Sequence, residues 1–365
     1  TVIFLISTIF SFGQDQILMD ASNSIKIDEL KEKMYAYSSD EFEGRGTPSK
    51  GQQLAVEYLV NHYKNLGIAS VKNDSYLQAV PLQLEDKPNI SLNISNQKFI
   101  YYQDYISYAN GPDRNYESVE IIFAGYGIDD PAYSDYLNID VKNKIVVAIG
   151  GEPLDENENY FINGNSKSKW SNSREEIGLK KSIAKNKGAQ ALILVDEYLF
   201  RRYKSRFQYS DSGRGEKRMA LGNDEENNFQ VLLFSEKHKN FFSKESLSLN
   251  MTFNKNIQSF TADNVAAIIK GSEFPNEYII LTAHLDHVLP YNGKIYNGAD
   301  DNGSGTVAML EIAESFALAK KLGKEPKRSI VFLHVTAEER GLLGSKYYAD
   351  HEPLVPIKQT VANLN

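Results

Sequence analysis

The chain has 365 residues, 41% of them hydrophobic, so it is long enough for two domains and apolar enough to build a core in each. Its formal net charge of −8 argues against a nucleic-acid backbone or an anionic membrane surface as a partner. Cysteine is absent, which excludes a disulfide framework and thiolate catalysis.

Residues 2–12 form an apolar run that is too short to span a bilayer, which takes roughly 18 or more residues. The run is typical of the apolar region of a secretory signal, and the residues at 11–13 fit a cleavage site before Gln14. The sequence therefore predicts a signal segment at residues 1–13 and a secreted or periplasmic protein without a membrane span. A buried strand or helix is the alternative.

Two helices are predicted in the next part of the chain. Residues 25–37 have mixed helical periodicity, and a polar loop follows in which Arg45 is expected to bind a carboxylate, with a role near the site as the alternative. Thr47 and Pro48 then predict the cap and the first position of a second helix. Apolar residues at helical spacing mark the buried face of that helix: Val56, Leu59, Val60 and Tyr63.

The middle of the chain is rich in short β-type runs, at residues 91–94, 119–124 and 144–149, separated by Asn, Asp and Gly clusters. A helical stretch at 175–187 leads into another apolar strand. A basic stretch at residues 200–219 is interpreted as a solvated loop, because acidic residues adjoin it and the whole chain is acidic.

Residues 278–283 form an apolar, β-branched run typical of a strand buried on both faces, and the run ends at His284. Alternation along a strand puts Asp286 on the same face, where it can accept a hydrogen bond from the second ring nitrogen of this histidine. His287 falls on the opposite face, so a structural role at the rim is expected for it.

Two pairs of carboxylates follow these histidines. A glycine-rich turn holds Asp300 and Asp301 and opens into an apolar helix, and a second buried-strand run at residues 329–335 precedes Glu338 and Glu339. Ligands bind at the carboxyl ends of strands in open α/β sheets, and imidazole with carboxylate suits Zn²⁺. Either aspartate could bridge two metal ions, and one glutamate could bind metal while its neighbour takes a proton from water. The pattern predicts metal-assisted hydrolysis.

Three motifs in this region resemble those of the M28 zinc peptidases, the aminopeptidase and glutamate-carboxypeptidase group. They are Ala-His-Leu-Asp-His at 283–287, Gly-Ala-Asp-Asp-Asn-Gly-Ser-Gly at 298–305 and Glu-Glu-Arg-Gly-Leu-Leu-Gly-Ser at 338–345. The resemblance implies two zinc ions per site, with His284 as a ligand of one, Asp300 as the bridging ligand and Glu339 as a ligand of the other.

The same resemblance implies that Glu338 is the general base and that Asp286 orients His284. It also implies a cis peptide bond between Asp300 and Asp301. Two further ligands of the family, an aspartate after a third strand and a late histidine, have no match in this sequence. Residues 359–365 are predicted to begin that third strand, so the chain is expected to be a C-terminally truncated fragment.

The implied fold is the α/β sandwich of phosphorylase/hydrolase-like zinc exopeptidases, a mixed sheet flanked by helices. The peptidase domain is expected at 20–84 and 258–365, interrupted at 85–257 by a β-rich insert that resembles a protease-associated (PA) domain. The helix motif His-Glu-x-x-His and the Gly-x-Ser-x-Gly elbow are absent from the sequence, which removes those two hydrolase architectures.

The implied activity is hydrolysis of a terminal peptide bond through a metal-bound hydroxide, with aminopeptidase action as the first prediction. The alternatives are a carboxypeptidase acting on acidic or γ-glutamyl peptides and a non-catalytic protein that binds through the PA-like insert. A glutaminyl-cyclase-like activity fits the insert less well. The expected partner is a peptide substrate and not nucleic acid.

Overall fold

The computed structural model describes residues 16–72, 75–164, 166–173, 175–212, 216–222 and 229–365. The predicted signal segment at residues 1–13 lies outside them. The chain divides into two compact units, the first within 1–83, 219–222 and 259–365 and the second within 84–218 and 223–258.

In the described residues, the helices are α1 (16–22), α2 (Ile27–Tyr37), α3 (Lys50–Asn65), α4 (Glu176–Asn186), α5 (Glu197–Asp211), α6 (Lys239–Phe242), α7 (Ser304–Lys321) and α8 (Leu343–Lys346). The strands are β1 (Ala69–Ser70), β2 (Leu77–Glu85), β3 (Asn89–Ile94), β4 (Gln97–Phe99), β5 (Tyr105–Ala109), β6 (Arg114–Phe123), β7 (Asp129–Asp130), β8 (Tyr133–Ser134), β9 (Ile145–Ile149), β10 (Ala191–Val195), β11 (Arg218–Leu221), β12 (Gln230–Phe234), β13 (Ser248–Asn254), β14 (Ile257–Ile269), β15 (Phe274–His284), β16 (Arg328–Val335) and β17 (Thr360–Leu364). In this part of the chain, no helix combines the length and the apolarity that a bilayer crossing needs.

The first unit contains a mixed sheet with the strand order β11-β2-β14-β16-β15-β17, and β1 also pairs with β14. Strand β15 runs parallel to β16 and β17, whereas β14 is antiparallel to β16. The predicted strands at 278–283, 329–335 and 359–365 are confirmed as β15, β16 and β17. The register pairs His284 with Val335, so β15 and β16 end side by side. The two loops that leave these strands therefore start as neighbours, and they carry the predicted site.

Helices α2, α3 and α7 pack their apolar residues into one core cluster with the sheet. The predicted buried face of the second helix is confirmed, because Val56, Leu59 and Tyr63 lie in that cluster. This helix starts later than predicted, since its cap is the Ser49 hydroxyl, which accepts a hydrogen bond from a backbone N–H; the Thr47–Pro48 peptide bond before it is cis.

The second unit is built on a sheet with the strand order β4-β3-β13-β6-β9-β10-β12-β5. Its central strands β6, β9, β10 and β12 are parallel, and the flanking pairs are antiparallel. The interpretation of residues 200–219 as a solvated loop is wrong over 200–211, which belong to α5, and residues 213–215 lie outside the described residues. The buried side chains of Leu199, Phe200 and Phe207 pack this helix into the core of the unit. The many basic residues between them made their helical spacing hard to recognise in the sequence.

A buried ion pair lies inside the second unit. Lys180 in α4 is fully buried and donates hydrogen bonds to the carbonyl oxygens of Ile149 and Gly151 and, at 2.7 Å, to the Glu176 carboxylate. Removal of one partner from a buried pair leaves the other charge uncompensated and costs about 3–5 kcal/mol. We therefore expect Lys180→Met to lower the free energy of unfolding by about that amount in urea denaturation.

The matched control is Lys187→Met, at the end of the same helix. Lys187 pairs with Asp129 at 2.6 Å, but both side chains are about a third exposed. Such pairs contribute roughly 0–1 kcal/mol, because solvent screens the charges. Equal losses of stability in the two variants would contradict a structural role for the buried pair.

Candidate metal centre

His284 is the last residue of β15, and both of its ring nitrogens have partners. Its Nδ1 lies 2.9 Å from the backbone carbonyl oxygen of Asp286, which fixes Nδ1 as the donor. Its Nε2 faces two carboxylates, Asp301 Oδ1 at 3.0 Å and Glu338 Oε2 at 3.7 Å. The ring is therefore oriented with Nε2 as the atom available to bind a cation.

The contact with His284 Nδ1 is made by the backbone carbonyl of Asp286 and not by its carboxylate, so the orienting role of the carboxylate stays a prediction. Because β15 ends at His284, strand alternation no longer fixes the direction of Asp286. The carboxylate is fully buried, and its Oδ1 accepts a hydrogen bond from the Glu338 N–H at 3.0 Å. Burial raises the pKa of Asp286 to about 7. Asp286 thus ties the loop after β15 to the loop after β16.

The two aspartates lie in the tight turn Ala299–Gly303, where only one of them faces the histidine. Asp301 has a non-helical backbone (φ −110°, ψ 96°), and its carboxylate reaches His284. Asp300 contributes its carbonyl oxygen to the Ser304 hydroxyl, and within the described residues its carboxylate forms no ion pair with the site histidines. The geometry therefore favours Asp301 as the bridging residue, whereas the sequence resemblance implied Asp300. The cis peptide bond joins Asp301 and Asn302, so its predicted position is wrong by one residue.

His287 turns towards the site instead of lying at its rim. Its Nδ1 lies 2.7 Å from Glu339 Oε1. One nitrogen of His287 and one carboxylate oxygen each of Asp301 and Glu339 lie within 4.8 Å of one another. Alternation predicted the wrong side for His287 because the strand stops three residues before it. Asp301 is therefore shared by two groups, one containing His284 and the other containing His287 and Glu339.

Gly298 allows the aspartate turn to lie against the His287 ring. Its φ is +56°, in the left-handed region. A Cβ atom on Gly298 would lie 2.6 Å from the Cγ and Cδ2 atoms of His287 and 2.6 Å from the Asp301 carbonyl oxygen. Both the backbone angle and the space therefore require glycine at this position.

The loop that carries the two glutamates is closed by Asn264, a residue of β14 that was not among the predicted site residues. This buried side chain accepts a hydrogen bond from the Thr336 N–H at 2.8 Å and donates one to the Gly344 carbonyl at 3.0 Å. The Gly344 N–H in turn donates to the Thr336 carbonyl at 3.0 Å. A buried amide inside an apolar strand was the available signal, because such a group needs partners.

The donor set fits zinc. Zinc is bound in proteins by histidine nitrogens and carboxylate oxygens, and a catalytic zinc takes three protein ligands and keeps one position open. His287, Asp301 and Glu339 supply that number, and His284 with Asp301 begins a second set beside it. The Oδ2 atom of Asp286 is also buried without a hydrogen-bond partner among the described residues, which places an uncompensated acceptor behind the site.

Comparison with known proteins identifies this segment. Residues 264–365 match the family model described as Peptidase family M28. The chain is 38% identical over 117 residues to "Probable glutamate carboxypeptidase AMP1" of Arabidopsis thaliana, covering 32% of this chain and 16% of that protein. It is 38% identical over 106 residues to "Aminopeptidase YwaD" of Bacillus subtilis (strain 168), covering 29% and 21%. The chain thus spans about a fifth or less of the length of these two relatives.

Among solved structures, an aminopeptidase from Aneurinibacillus sp. strain AM-1 aligns with 96% of this chain and 71% of its own, at 19% sequence identity and a TM-score of 0.46. The family match covers every residue of the metal centre described above. Over residues 264–365, which contain the whole of this centre, the chain is therefore similar to peptidase family M28.

Proposed function

We propose that this chain is the metal-binding part of a zinc-dependent exopeptidase, which hydrolyses terminal peptide bonds. The observation that carries the proposal is the position of Asp301, whose carboxylate is shared between a group with His284 and a group with His287 and Glu339. A shared carboxylate suits a pair of metal ions, so we propose two zinc ions per site. The similarity of residues 264–365 to family M28 supports the same reading.

Zinc, when bound, would polarise the carbonyl of the scissile bond and lower the pKa of water. The chain's own residues do the rest. Glu338 lies beside His284 with 29% of its side chain exposed, so its carboxylate can reach a water molecule that enters from solvent. It accepts the proton of the attacking water and returns that proton to the leaving amine. The Asp286 carboxylate holds the backbone of Glu338 in place through its N–H.

Aminopeptidase action is the first candidate, and a carboxypeptidase acting on acidic or γ-glutamyl peptides is the second. A specific observation favours each one. The relative from Bacillus subtilis is named an aminopeptidase and the one from Arabidopsis thaliana a probable glutamate carboxypeptidase, and both are 38% identical to this chain over the aligned residues.

The same proposal extends to domain organisation and export. We assign the peptidase domain to 20–84 and 258–365 and interpret 85–257 as a PA-like insert, a reading supported by the parallel strands β9, β10 and β12 with α4 between the first two. Export rests on the apolar run at residues 2–12. N-terminal sequencing of the exported protein, with cleavage before Gln14, would test it.

A substrate panel tests the activity. The full-length protein is stripped with a chelator and assayed, with and without added zinc, on aminoacyl anilides and on acidic or γ-glutamyl dipeptides. We expect hydrolysis of the aminoacyl substrates that disappears on metal removal and returns with zinc. Preference for the acidic dipeptides would establish the carboxypeptidase. Zinc binding without turnover of either class would support a non-catalytic binding protein instead.

A further inference from the structure

Arg45 ends the turn Asp40–Arg45 and is fully buried in the first unit. A carboxylate partner was predicted for it, but no carboxylate of the described residues pairs with this guanidinium. Its N–H groups donate instead to four backbone carbonyl oxygens at 2.8 to 3.1 Å, those of Tyr37, Leu285, Asn297 and Gly298. Burial of a guanidinium charge costs free energy, so the buried position of Arg45 needs a structural explanation.

The carbonyls that Arg45 binds belong to the two segments that carry the site. Leu285 directly follows His284, and Gly298 directly precedes the aspartate turn. The Nε–H of Arg45 donates to the first at 3.1 Å, and a terminal N–H donates to the second at 2.8 Å. The rigid guanidinium of Arg45 therefore joins residues 284–288, called here the histidine segment, to the aspartate turn.

Two neighbouring features support the same contact. The Tyr37 hydroxyl also donates to the Leu285 carbonyl, at 2.9 Å, and its ring lies 4.6 Å from the guanidinium carbon. Gly44 allows the backbone on the other side of Arg45 to approach closely, because a Cβ atom there would lie 2.6 Å from the Val288 carbonyl oxygen. The turn Asp40–Arg45 thus packs closely against the backbone of the histidine segment.

We propose that Arg45 is a positioning residue of the metal centre, which sets the distance between the histidine segment and the Asp301 turn by holding both backbones. The inference rests on the proposed function, because its measure is metal binding. Arginine presents five N–H donors in a planar fork, whereas lysine presents a point charge on a flexible stem. Lysine at this position keeps the charge but cannot hold four carbonyls in fixed directions.

The test compares the zinc affinities of purified full-length variants, measured by competition with a chromogenic chelator, and the absorption spectra of their cobalt-loaded forms. Loss of a partner that orients metal ligands typically lowers affinity about 10–100-fold. We expect Arg45→Lys to fall in that range and to shift the cobalt spectrum. Tyr37→Phe removes a single hydrogen bond to the Leu285 carbonyl. It should therefore change the zinc affinity and the cobalt spectrum in the same direction as Arg45→Lys, but by less.

Lys180→Met is the matched control, because Lys180 is also a buried cation that donates to backbone carbonyls, and it lies in the second unit. It should lose stability and keep the zinc affinity of the unmodified protein. The proposal is overturned if folded Arg45→Lys binds zinc as the unmodified protein does, or if Lys180→Met weakens zinc as much. If Arg45→Lys does not fold, an unchanged zinc affinity and cobalt spectrum in Tyr37→Phe overturn it. Failure of the unmodified protein to bind zinc would reject the proposed function instead.

Discussion

Glu338→Gln is expected to lower kcat by about 10²–10⁴-fold, the usual contribution of a positioned general base. The amide has the size and shape of the carboxylate but cannot accept a proton from water. The backbone N–H of residue 338, which donates to Asp286, is unchanged by the substitution. Zinc affinity should therefore change little, and the loss should appear in kcat when substrate is saturating.

The adjacent glutamate provides the comparison for this prediction. Glu339 belongs to the group with His287 and Asp301, so Glu339→Gln should weaken zinc binding as its primary effect. Zinc competition and steady-state kinetics on both variants separate the two roles. If Glu338→Gln turns over substrate as fast as the unmodified enzyme, Glu338 is not the general base. If both variants lose zinc, Glu338 is a zinc ligand.

Asp301→Asn is expected to have the largest effect on zinc binding. Its carboxylate serves both groups of candidate ligands, so an amide weakens two positions at once. We expect affinity to fall by more than the roughly 10–100-fold that follows loss of an outer partner. The measurement is zinc competition with a chelator, together with the number of ions retained after gel filtration.

Asp300→Asn makes the same chemical change one residue earlier and is the natural control. Asp300 is exposed, and its contact with Ser304 uses the backbone carbonyl, which the substitution preserves. We expect this variant to bind zinc as the unmodified protein does. A greater loss in Asp300→Asn than in Asp301→Asn would return the bridging role to Asp300.

The framework around the site was predictable because it follows local patterns. Apolar, β-branched runs predicted the strands observed as β15 and β16, and the apolar helix expected after the glycine-rich turn is observed as α7. Histidine and carboxylates at the ends of those runs predicted where the candidate ligands gather. These signals depend on neighbours in sequence and need no knowledge of distant contacts.

The finer assignments depended on backbone geometry that no local pattern encodes. Asp300 and Asp301 are adjacent and chemically identical, and only the direction of the turn decides which one faces His284. His287 was misplaced because alternation was extended past the end of the strand. Arg45 binds Leu285 across a separation of 240 residues, so nothing near either residue in the sequence indicated the contact.

The hydrogen bonds by which Asn264 closes the glutamate loop affect how this loop would bind a metal ion. Its hydrogen bonds join the two ends of the glutamate loop to the sheet, so the backbone of residues 336–344 is fixed by the fold itself. In this loop, binding of a cation would then require rotation of the glutamate side chains and not ordering of the backbone. Less conformational entropy would be lost there on binding, which favours high affinity.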